Sequence, residues 1–196
     1  MEIIKHRCNT IEELVSTPND CGVEIDIRSF ERKLILQHEP YLNGVNLEDW
    51  IQEYNHKTLI INIKEEGIEK NVLEVIQGYK IESFFFLGQS LPFLIYVSKE
   101  KISRVAVRIS EYESINTAYN LRDHADWVWI DFFTKFPLNK KQIQLLKKYG
   151  FKICIVSPEL QFHGEDKIKI LQDYLKDNKI IVDAVCTKYI DIWKNK

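Results

Sequence analysis

The chain has 196 residues, of which 45% are hydrophobic, and a formal net charge of -2. A chain of this length can bury one sizeable core. Its near-neutral charge gives no global basic field of the kind that nucleic-acid-binding proteins use. No apolar run approaches the roughly 20 residues of a membrane span, and Lys and Arg are spread over many segments. We therefore expect a globular protein with no nucleic-acid partner and no membrane span.

The amino terminus and the cysteines indicate a compartment. The opening stretch "MEIIKHRCNT" has no apolar core behind a basic start, so no secretory signal is expected. The cysteines show no paired short spacing and stand among apolar residues, which favours reduced thiols over disulfides or a zinc site. We predict a cytoplasmic protein with four free thiols: Cys8, Cys21, Cys154 and Cys186.

Short β-rich runs alternate with helical patterns along the chain. The predicted strands are 2–6, 22–27, 34–38, 58–64, 83–87, 104–110, 126–131, 151–157 and 181–187. Helical patterns occupy 46–54, 67–79, 89–100, 111–124, 139–150 and 165–178. This alternation, without a Pro/Gly/Ser linker, predicts one α/β domain over residues 1–196, a small (β/α)8 TIM barrel of parallel strands. An open doubly wound sheet is the alternative, but no Gly-rich nucleotide loop follows the first strand.

The strand "GVEIDIRSF", residues 22–30, places two carboxylates on one face. Apolar residues alternate with Glu24 and Asp26, so both acids lie opposite the apolar face. A solvated face of an edge strand is one interpretation. If both acids point inward, their repulsion and desolvation require a cation or a raised pKa. Oxygen-ligated Mg²⁺ or Ca²⁺ meets that requirement most simply.

Other polar residues collect at the carboxyl ends of the predicted strands, where TIM barrels carry their active sites. His6 and His38 end two strands, and Asn62 and Lys64 share a face of a third. Later in the chain, Arg108 and Ser110 share a strand face. Three acids could be metal ligands, positioning residues or ion-pair partners of Arg108 and Lys64: Glu111, Asp131 and Glu159. This distribution is typical of an active site.

The order of these motifs resembles the glycerophosphodiester phosphodiesterase family, within the phospholipase-C-like phosphodiesterase barrels. The motifs are "HR", "NT", "EIDIR", "LILQHEP" and "INIK", all in the first third of the chain. The runs "RISEYE", "WIDFF" and "VSPELQ" are similar to a compact bacterial branch without the insertion domain. The resemblance implies the following roles: His6 and His38 as general acid and base, Glu24 and Asp26 as metal ligands, and Arg7 and Lys64 as phosphate contacts.

The chain departs from the family pattern at several positions. Cys8 replaces the family's glycine, and Glu39 follows His38 where the family has aspartate. Asn62 stands where the resemblance implies a third metal-binding carboxylate, so it is expected to be a weak ligand. Either Glu111, Asp131 or Glu159 supplies the missing charge, or the metal affinity is reduced. Because the insertion that shapes the glycerol side of the pocket is missing, the family's usual substrate does not follow.

The resemblance implies a metal-dependent phosphoric diester hydrolase acting on a glycerophosphodiester-like or related small phosphodiester. Mg²⁺ is the expected cofactor and Ca²⁺ the alternative. A catalytically impaired barrel that binds a phosphorylated metabolite or a partner is a second hypothesis. A third is a hydrolase of a phosphate-linked precursor in surface polysaccharide synthesis. The sequence leaves open which histidine is the acid, and it does not indicate the oligomeric state.

Overall fold

The structure is a computed structural model that describes residues 1–100, 102 and 104–194. The chain divides into two compact units. The N-terminal unit is Lys5–Lys101, and the C-terminal unit combines Met1–Ile4 with Ile102–Lys196. A single domain over residues 1–196 stays a prediction.

The chain opens with β1 (Glu2–Lys5), which belongs to the C-terminal unit up to Ile4. The N-terminal unit continues with α1 (Ile11–Ser16), β2 (Gly22–Phe30), β3 (Lys33–Leu36), β4 (Val45–Asn46), α2 (Leu47–Trp50), a 3-10 turn (Ile51–Glu53), β5 (Leu59–Ile63), α3 (Glu69–Gly78), β6 (Phe84–Leu87) and α4 (Leu91–Lys99). Within this unit the hydrogen-bonded order is β4-β3-β2-β5-β6. The pairs β2–β5 and β5–β6 are parallel, and the register sets Asp26 opposite Asn62.

The prediction that all strands are parallel is wrong at 34–38. The observed β3 runs antiparallel to β2, and β4 runs antiparallel to β3. Only Glu31 and Arg32 separate β2 from β3, with φ of 47° and 65°. Two residues at positive φ make a tight hairpin turn, whereas a parallel connection needs a crossover of a dozen or more residues.

The C-terminal unit follows the predicted strand and helix alternation. It contains β7 (Ala106–Ile109), α5 (Ile115–Asn120), β8 (Trp127–Ile130), α6 (Lys140–Lys148), β9 (Lys152–Val156), a 3-10 turn (Pro158–Gln161), α7 (Asp166–Asp177), β10 (Ala184–Thr187) and α8 (Ile190–Lys194). The order is β1-β10-β9-β8-β7, with β7–β8, β8–β9 and β9–β10 parallel. An α/β fold with mostly parallel strands is therefore confirmed.

Local sequence explains where several helices begin and which face they bury. α1 starts at a capping box, in which the Thr10 side chain accepts from the Glu13 N–H and the Glu13 carboxylate accepts from the Thr10 N–H. α6 starts with the same device at Asn139 and buries Ile143 and Leu146, one turn apart. Sequence patterns missed α1, α8 and the two-residue β4, because these elements are short.

The four cysteines are buried and form no disulfide, as expected. Among the described residues, no helix is both long enough and apolar enough to cross a membrane.

Candidate active site

The centre of the candidate site is the carboxylate pair on β2. Glu24 and Asp26 are each 1% exposed, although they alternate with the fully buried Val23, Ile25 and Ile27. Both faces of this strand are therefore buried, as in the interior of a parallel sheet. The interpretation as a solvated edge strand is wrong.

Every oxygen of the pair has a donor from the N-terminal unit. Glu24 Oε1 accepts from Asn62 Nδ2 at 2.8 Å, and Glu24 Oε2 accepts from the Arg7 backbone N–H at 2.8 Å. Asp26 Oδ1 lies 3.1 Å from Lys64 Nζ and 3.2 Å from Asn62 Nδ2. Asp26 Oδ2 lies 3.2 Å from Arg7 Nε. The sequence-predicted residues Arg7, Asn62 and Lys64 thus all meet at the carboxylate pair.

Burial and repulsion from Asp26 both change the pKa of Glu24. Burial, followed by the negative charge of Asp26, raises the pKa of Glu24 to about 7, against hydrogen bonds from Asn62 and Arg7 and the charge of Lys64. Burial and the neighbouring carboxylate therefore outweigh the stabilisation that Asn62, Arg7 and Lys64 give to the ionised form of Glu24. A bound cation would favour that ionised form.

The segment after β1 is docked onto β2 by its backbone. Arg7 adopts φ of 60°, in the left-handed region, and the Cys8 N–H donates to the Glu24 carbonyl at 2.7 Å. Asn9 Nδ2 donates to Asp26 Oδ2 at 3.0 Å, and Asn9 Oδ1 accepts from the Asp26 N–H at 2.8 Å. The strained backbone at Arg7 aims an amide and a guanidinium at the same carboxylate pair. Sequence reasoning gave Asn9 no role.

Cys8, which follows Arg7, is a buried structural residue. Its side chain is fully buried, and its Sγ lies 3.6 Å from Thr17 Oγ1. Burial raises the pKa of the Cys8 thiol to about 12, so the thiolate nucleophile is absent at neutral pH. Cys8 therefore fills space beneath the site without adding a reactive group.

The two predicted histidines, both in the N-terminal unit, follow different strands and contact different carboxylates. His6 directly follows β1, and its Nε2 lies 3.8 Å from Glu24 Oε2. His38 follows the antiparallel β3, and its Nδ1 lies 2.6 Å from Glu39 Oε1. A carboxylate partner on one ring nitrogen fixes the tautomer and orientation of an imidazole. The contact between His38 and Glu39 is of this kind.

Arg28 holds the His38 segment against the strand ends. Its Nε and Nη2 donate to the His38 carbonyl at 3.1 and 2.9 Å, and its Nη1 donates to the Lys64 carbonyl at 3.3 Å. One guanidinium therefore ties the backbones of two predicted functional residues together. Sequence reasoning missed this role. The signal available was that Arg28 follows Glu24 and Asp26 at the same two-residue spacing.

Gly88, just after β6, allows the close packing around Asn62. It has φ of 88°, and a Cβ at this position would stand 2.5 Å from Asn62 Oδ1 and 2.7 Å from the Ile63 carbonyl oxygen. Only glycine satisfies both the backbone conformation and the space. The Asn62 amide is therefore positioned from two sides, by Gly88 at its oxygen and by the carboxylates at its nitrogen.

The donor set fits an oxygen-ligated cation with few protein ligands. Among the described residues, no three His, Cys, Asp or Glu side chains are grouped to hold a metal. Glu24 and Asp26 supply two carboxylates, and rotation of the Asn62 amide would exchange its NH₂ for its carbonyl oxygen. Two carboxylates and one amide oxygen would suit Mg²⁺ or Ca²⁺, which both prefer hard oxygen ligands.

Glu111, the fourth predicted ligand, belongs to the C-terminal unit and organises a loop there. Its carboxylate accepts hydrogen bonds from the backbone N–H groups of Phe133, Thr134 and Lys135 at 3.3, 2.6 and 2.7 Å. Burial alone would raise its pKa, but the hydrogen bonds from Lys135 and Thr134 lower it to about 2. These contacts explain the conformation of the 133–135 loop, and a role in metal binding stays a prediction.

The other two acids considered from sequence also have partners in the C-terminal unit. Asp131 pairs with Arg108, with Nη2 to Oδ2 at 2.8 Å, which confirms one of the alternatives considered for Asp131. Glu159 Oε1 accepts from Thr187 Oγ1 at 2.6 Å.

Comparison with known proteins gives a structural likeness only. No family model and no curated protein sequence matches the chain. A glycerophosphodiester phosphodiesterase from Agrobacterium tumefaciens str. C58 matches with a TM-score of 0.67 and 13% identity, over 95% of this chain and 96% of that one. A glycerophosphoryl diester phosphodiesterase from Parabacteroides distasonis ATCC 8503 has the same TM-score and identity, over 95% of this chain and 82% of that one. These likenesses confirm, at the level of the fold, the resemblance to glycerophosphodiester phosphodiesterases that the sequence motifs indicate.

Proposed function

We propose that the protein is a metal-dependent phosphodiester hydrolase acting on a glycerophosphodiester-like or related small phosphodiester. The observation that carries this proposal is the buried pair of Glu24 and Asp26, contacted by Arg7 and Lys64 and flanked by His6. The fold, similar to that of two phosphodiesterases of this kind, supports it. A fully closed (β/α)8 barrel and a cytoplasmic location are finer predictions that accompany the proposal.

The cation would be held by Glu24, Asp26 and the carbonyl oxygen of Asn62, with Mg²⁺ as the expected ion and Ca²⁺ as the alternative. When bound, it supplies positive charge to a non-bridging phosphate oxygen. Lys64 and Arg7 would donate to the same phosphate group. Their charged groups lie within 3.2 Å of Asp26, one of the residues that would hold the cation. Both would also stabilise the charge that develops on phosphorus-bound oxygens during the reaction.

The histidines would handle the protons. One takes a proton from the attacking water or substrate hydroxyl as the new P–O bond forms. The other gives a proton to the leaving alkoxide as the old P–O bond breaks. Glu39 orients the His38 ring by pairing with Nδ1, which leaves Nε2 as the nitrogen that exchanges the proton. His6 lies beside Glu24, where a proton-transfer group would reach the phosphate held at the carboxylate pair.

Hydrolysis of bis(p-nitrophenyl) phosphate tests the proposal. Mg²⁺ or Ca²⁺ should support turnover, and EDTA should abolish it. His6→Ala and His38→Ala should each lower kcat by roughly 10²-fold, the usual scale for losing a general acid or base. Glu24→Gln should first weaken the binding of the metal, so that turnover requires a higher metal concentration. His124→Ala, outside the site, serves as the matched control. Turnover that survives both histidine substitutions would assign the activity to a contaminant or to other residues.

A binding protein is the second candidate function, and one observation favours it. The Asn62 amide donates to both Glu24 and Asp26, so it already bridges the carboxylates that a cation would bridge. A barrel of this kind would bind a phosphorylated ligand through Arg7 and Lys64 without turning it over. Folded protein that hydrolyses neither the chromogenic ester nor glycerophosphocholine with several divalent metals would make this the better account.

A further inference from the structure

A second polar cluster lies in the C-terminal unit around Asp131, just after β8. Asp131 is fully buried and accepts four hydrogen bonds. Arg108 Nε and Nη2 donate to Oδ2 at 3.0 and 2.8 Å, and Trp129 Nε1 and Gln161 Nε2 donate to Oδ1 at 3.1 and 2.8 Å. Asp131 therefore fixes Arg108 of β7 and Gln161 of the 3-10 turn after β9 at the carboxyl end of β8.

The Arg108 guanidinium has donors to spare on its outer edge. Asp131 engages its Nε and Nη2, and within the described part of the chain Nη1 has no acceptor. The side chain is 40% exposed, so this edge is accessible to a ligand. Because the charge of Arg108 is compensated by Asp131, the edge offers hydrogen-bond donors without a net positive charge.

Glu159 contributes an acceptor that lacks a donor. Its Oε1 accepts from Thr187 Oγ1 at 2.6 Å and from the Lys188 N–H at 2.9 Å. Its Oε2 is buried and has no donor among the residues that the structure describes. A buried carboxylate oxygen without a donor is unfavourable unless a ligand or water supplies one. Glu159 belongs to the same 3-10 turn as Gln161, which contacts Asp131.

Three exposed aromatic rings come from the loops after β7, β8 and β9. Tyr112, Phe133 and Phe162 are 79%, 37% and 100% exposed. The loops are tied together: Glu111 holds residues 133–135, and His163 Nε2 lies 2.8 Å from the Phe133 carbonyl oxygen. The Tyr112 and Phe133 rings stand 5.8 Å apart.

Phe162 is the most unusual of the three rings. It is the most exposed, and its backbone has φ of 64°, a conformation that a bulky residue rarely adopts. Strained backbone that carries a solvent-exposed apolar ring is typical of binding loops rather than of packing.

We propose that the loops after β7, β8 and β9 form a binding site for a neutral, hydroxyl-bearing ring, that is, a sugar. Sugar hydroxyls both donate and accept, so one can donate to Glu159 Oε2 and another can accept from Arg108 Nη1, whereas a phosphodiester or an ionised carboxylate can only accept. An anion would also meet the unpaired carboxylate oxygen of Glu159 while gaining no net positive charge from Arg108. The apolar face of a sugar ring would cover the exposed aromatic rings.

This inference goes beyond the proposed function, because it uses residues of the C-terminal unit alone and requires no phosphodiester cleavage. Binding is therefore measured in EDTA, where a failure of hydrolysis has no effect on the result. The probes are methyl α-D-glucopyranoside, methyl β-D-galactopyranoside and methyl β-D-ribofuranoside. Saturation-transfer NMR detects contact, and tryptophan fluorescence gives the affinity, since Trp129 donates to Asp131.

At least one probe should bind saturably, with a Kd on the order of millimolar. Glu159→Gln and Arg108→Lys should each weaken that binding by about tenfold or more, since each removes or displaces a hydrogen bond to a charged group. Phe162→Ala should weaken it several-fold, and because this ring is fully exposed its loss leaves the fold intact. Glu74→Gln, an exposed acid of the N-terminal unit, is the matched control and should bind as the wild type does.

Two further ligands, glucose 1-phosphate and inorganic phosphate, test whether the site recognises a phosphate group instead of a sugar ring. Glucose 1-phosphate that binds more tightly than the glucoside would contradict a site for a neutral ring. Equal binding of the two would show that a free sugar suffices. No saturable binding of any glycoside, or binding of inorganic phosphate that depends on Arg108, would overturn the proposal.

Discussion

Replacing Glu111 by glutamine should destabilise the C-terminal unit at neutral pH and have a shrinking effect at acid pH. The Glu111 carboxylate accepts the N–H groups of residues 133–135, and this is reflected in a pKa of about 2. An amide of the same shape presents one acceptor oxygen and no charge to these donors. The 133–135 loop, which carries Phe133, should therefore loosen.

The magnitude follows from the pKa. A fall from the ordinary 4.5 to about 2 corresponds to about 3 kcal/mol, because each tenfold change in proton affinity is worth about 1.4 kcal/mol. Partial exposure of the side chain and solvent screening reduce this, so we expect a loss of about 1 to 3 kcal/mol. The folded-state pKa lies below the unfolded one. The stabilisation is therefore complete above about pH 4.5 and is lost as the pH falls towards 2.

Urea denaturation followed by tryptophan fluorescence measures the effect. Wild type, Glu111→Gln and the exposed control Glu74→Gln are compared at pH 7 and pH 3, each in EDTA and in Mg²⁺. The control should match the wild type throughout. Equal stability of Glu111→Gln and wild type at pH 7 in EDTA would refute the loop-organising role. A difference confined to Mg²⁺ would instead support Glu111 as a metal ligand.

Two substitutions in the N-terminal unit probe the environment of Asn62. Asn62→Asp replaces the donor to Glu24 and Asp26 by a third carboxylate, so it should lower Tm in EDTA and tighten Mg²⁺ binding at least tenfold by calorimetry. Unchanged affinity would exclude position 62 from the metal shell. Gly88→Ala should cost about 1 to 3 kcal/mol, since its Cβ would meet Asn62 Oδ1 at 2.5 Å at φ of 88°. Gly78→Ala, where a Cβ meets nothing within 4 Å, is its control, and equal stability of the two would show that the backbone at 88 adapts.

The sequence predicted those site residues whose placement follows from strand periodicity. Glu24 and Asp26 share a face because strand side chains alternate. Asn62 and Lys64 reach that face because β5 pairs with β2 in parallel, with Asn62 opposite Asp26. Period and pairing together therefore determine the centre of the site.

Contacts that depend on loops and turns were not accessible from sequence patterns. Residues 34–38 have the composition of a strand, but their direction is decided by the two-residue turn at Glu31 and Arg32. Asn9 acts through a tertiary contact with Asp26, which no local period encodes. The hydrogen bonds from the 133–135 loop to Glu111 likewise join two separate segments, the loop after β8 and the loop after β7.

The spacing along β2 also limits how this chain can vary. Glu24, Asp26 and Arg28 occupy alternate positions of one continuous strand, so a single-residue insertion or deletion between 24 and 28 would rotate part of this set to the opposite face. The carboxylates would then exchange places with Val23, Ile25 or Ile27, or Arg28 would lose its hold on the His38 backbone. Variation in length is therefore tolerable at the hairpin tip, beyond Arg28, and forbidden within the strand.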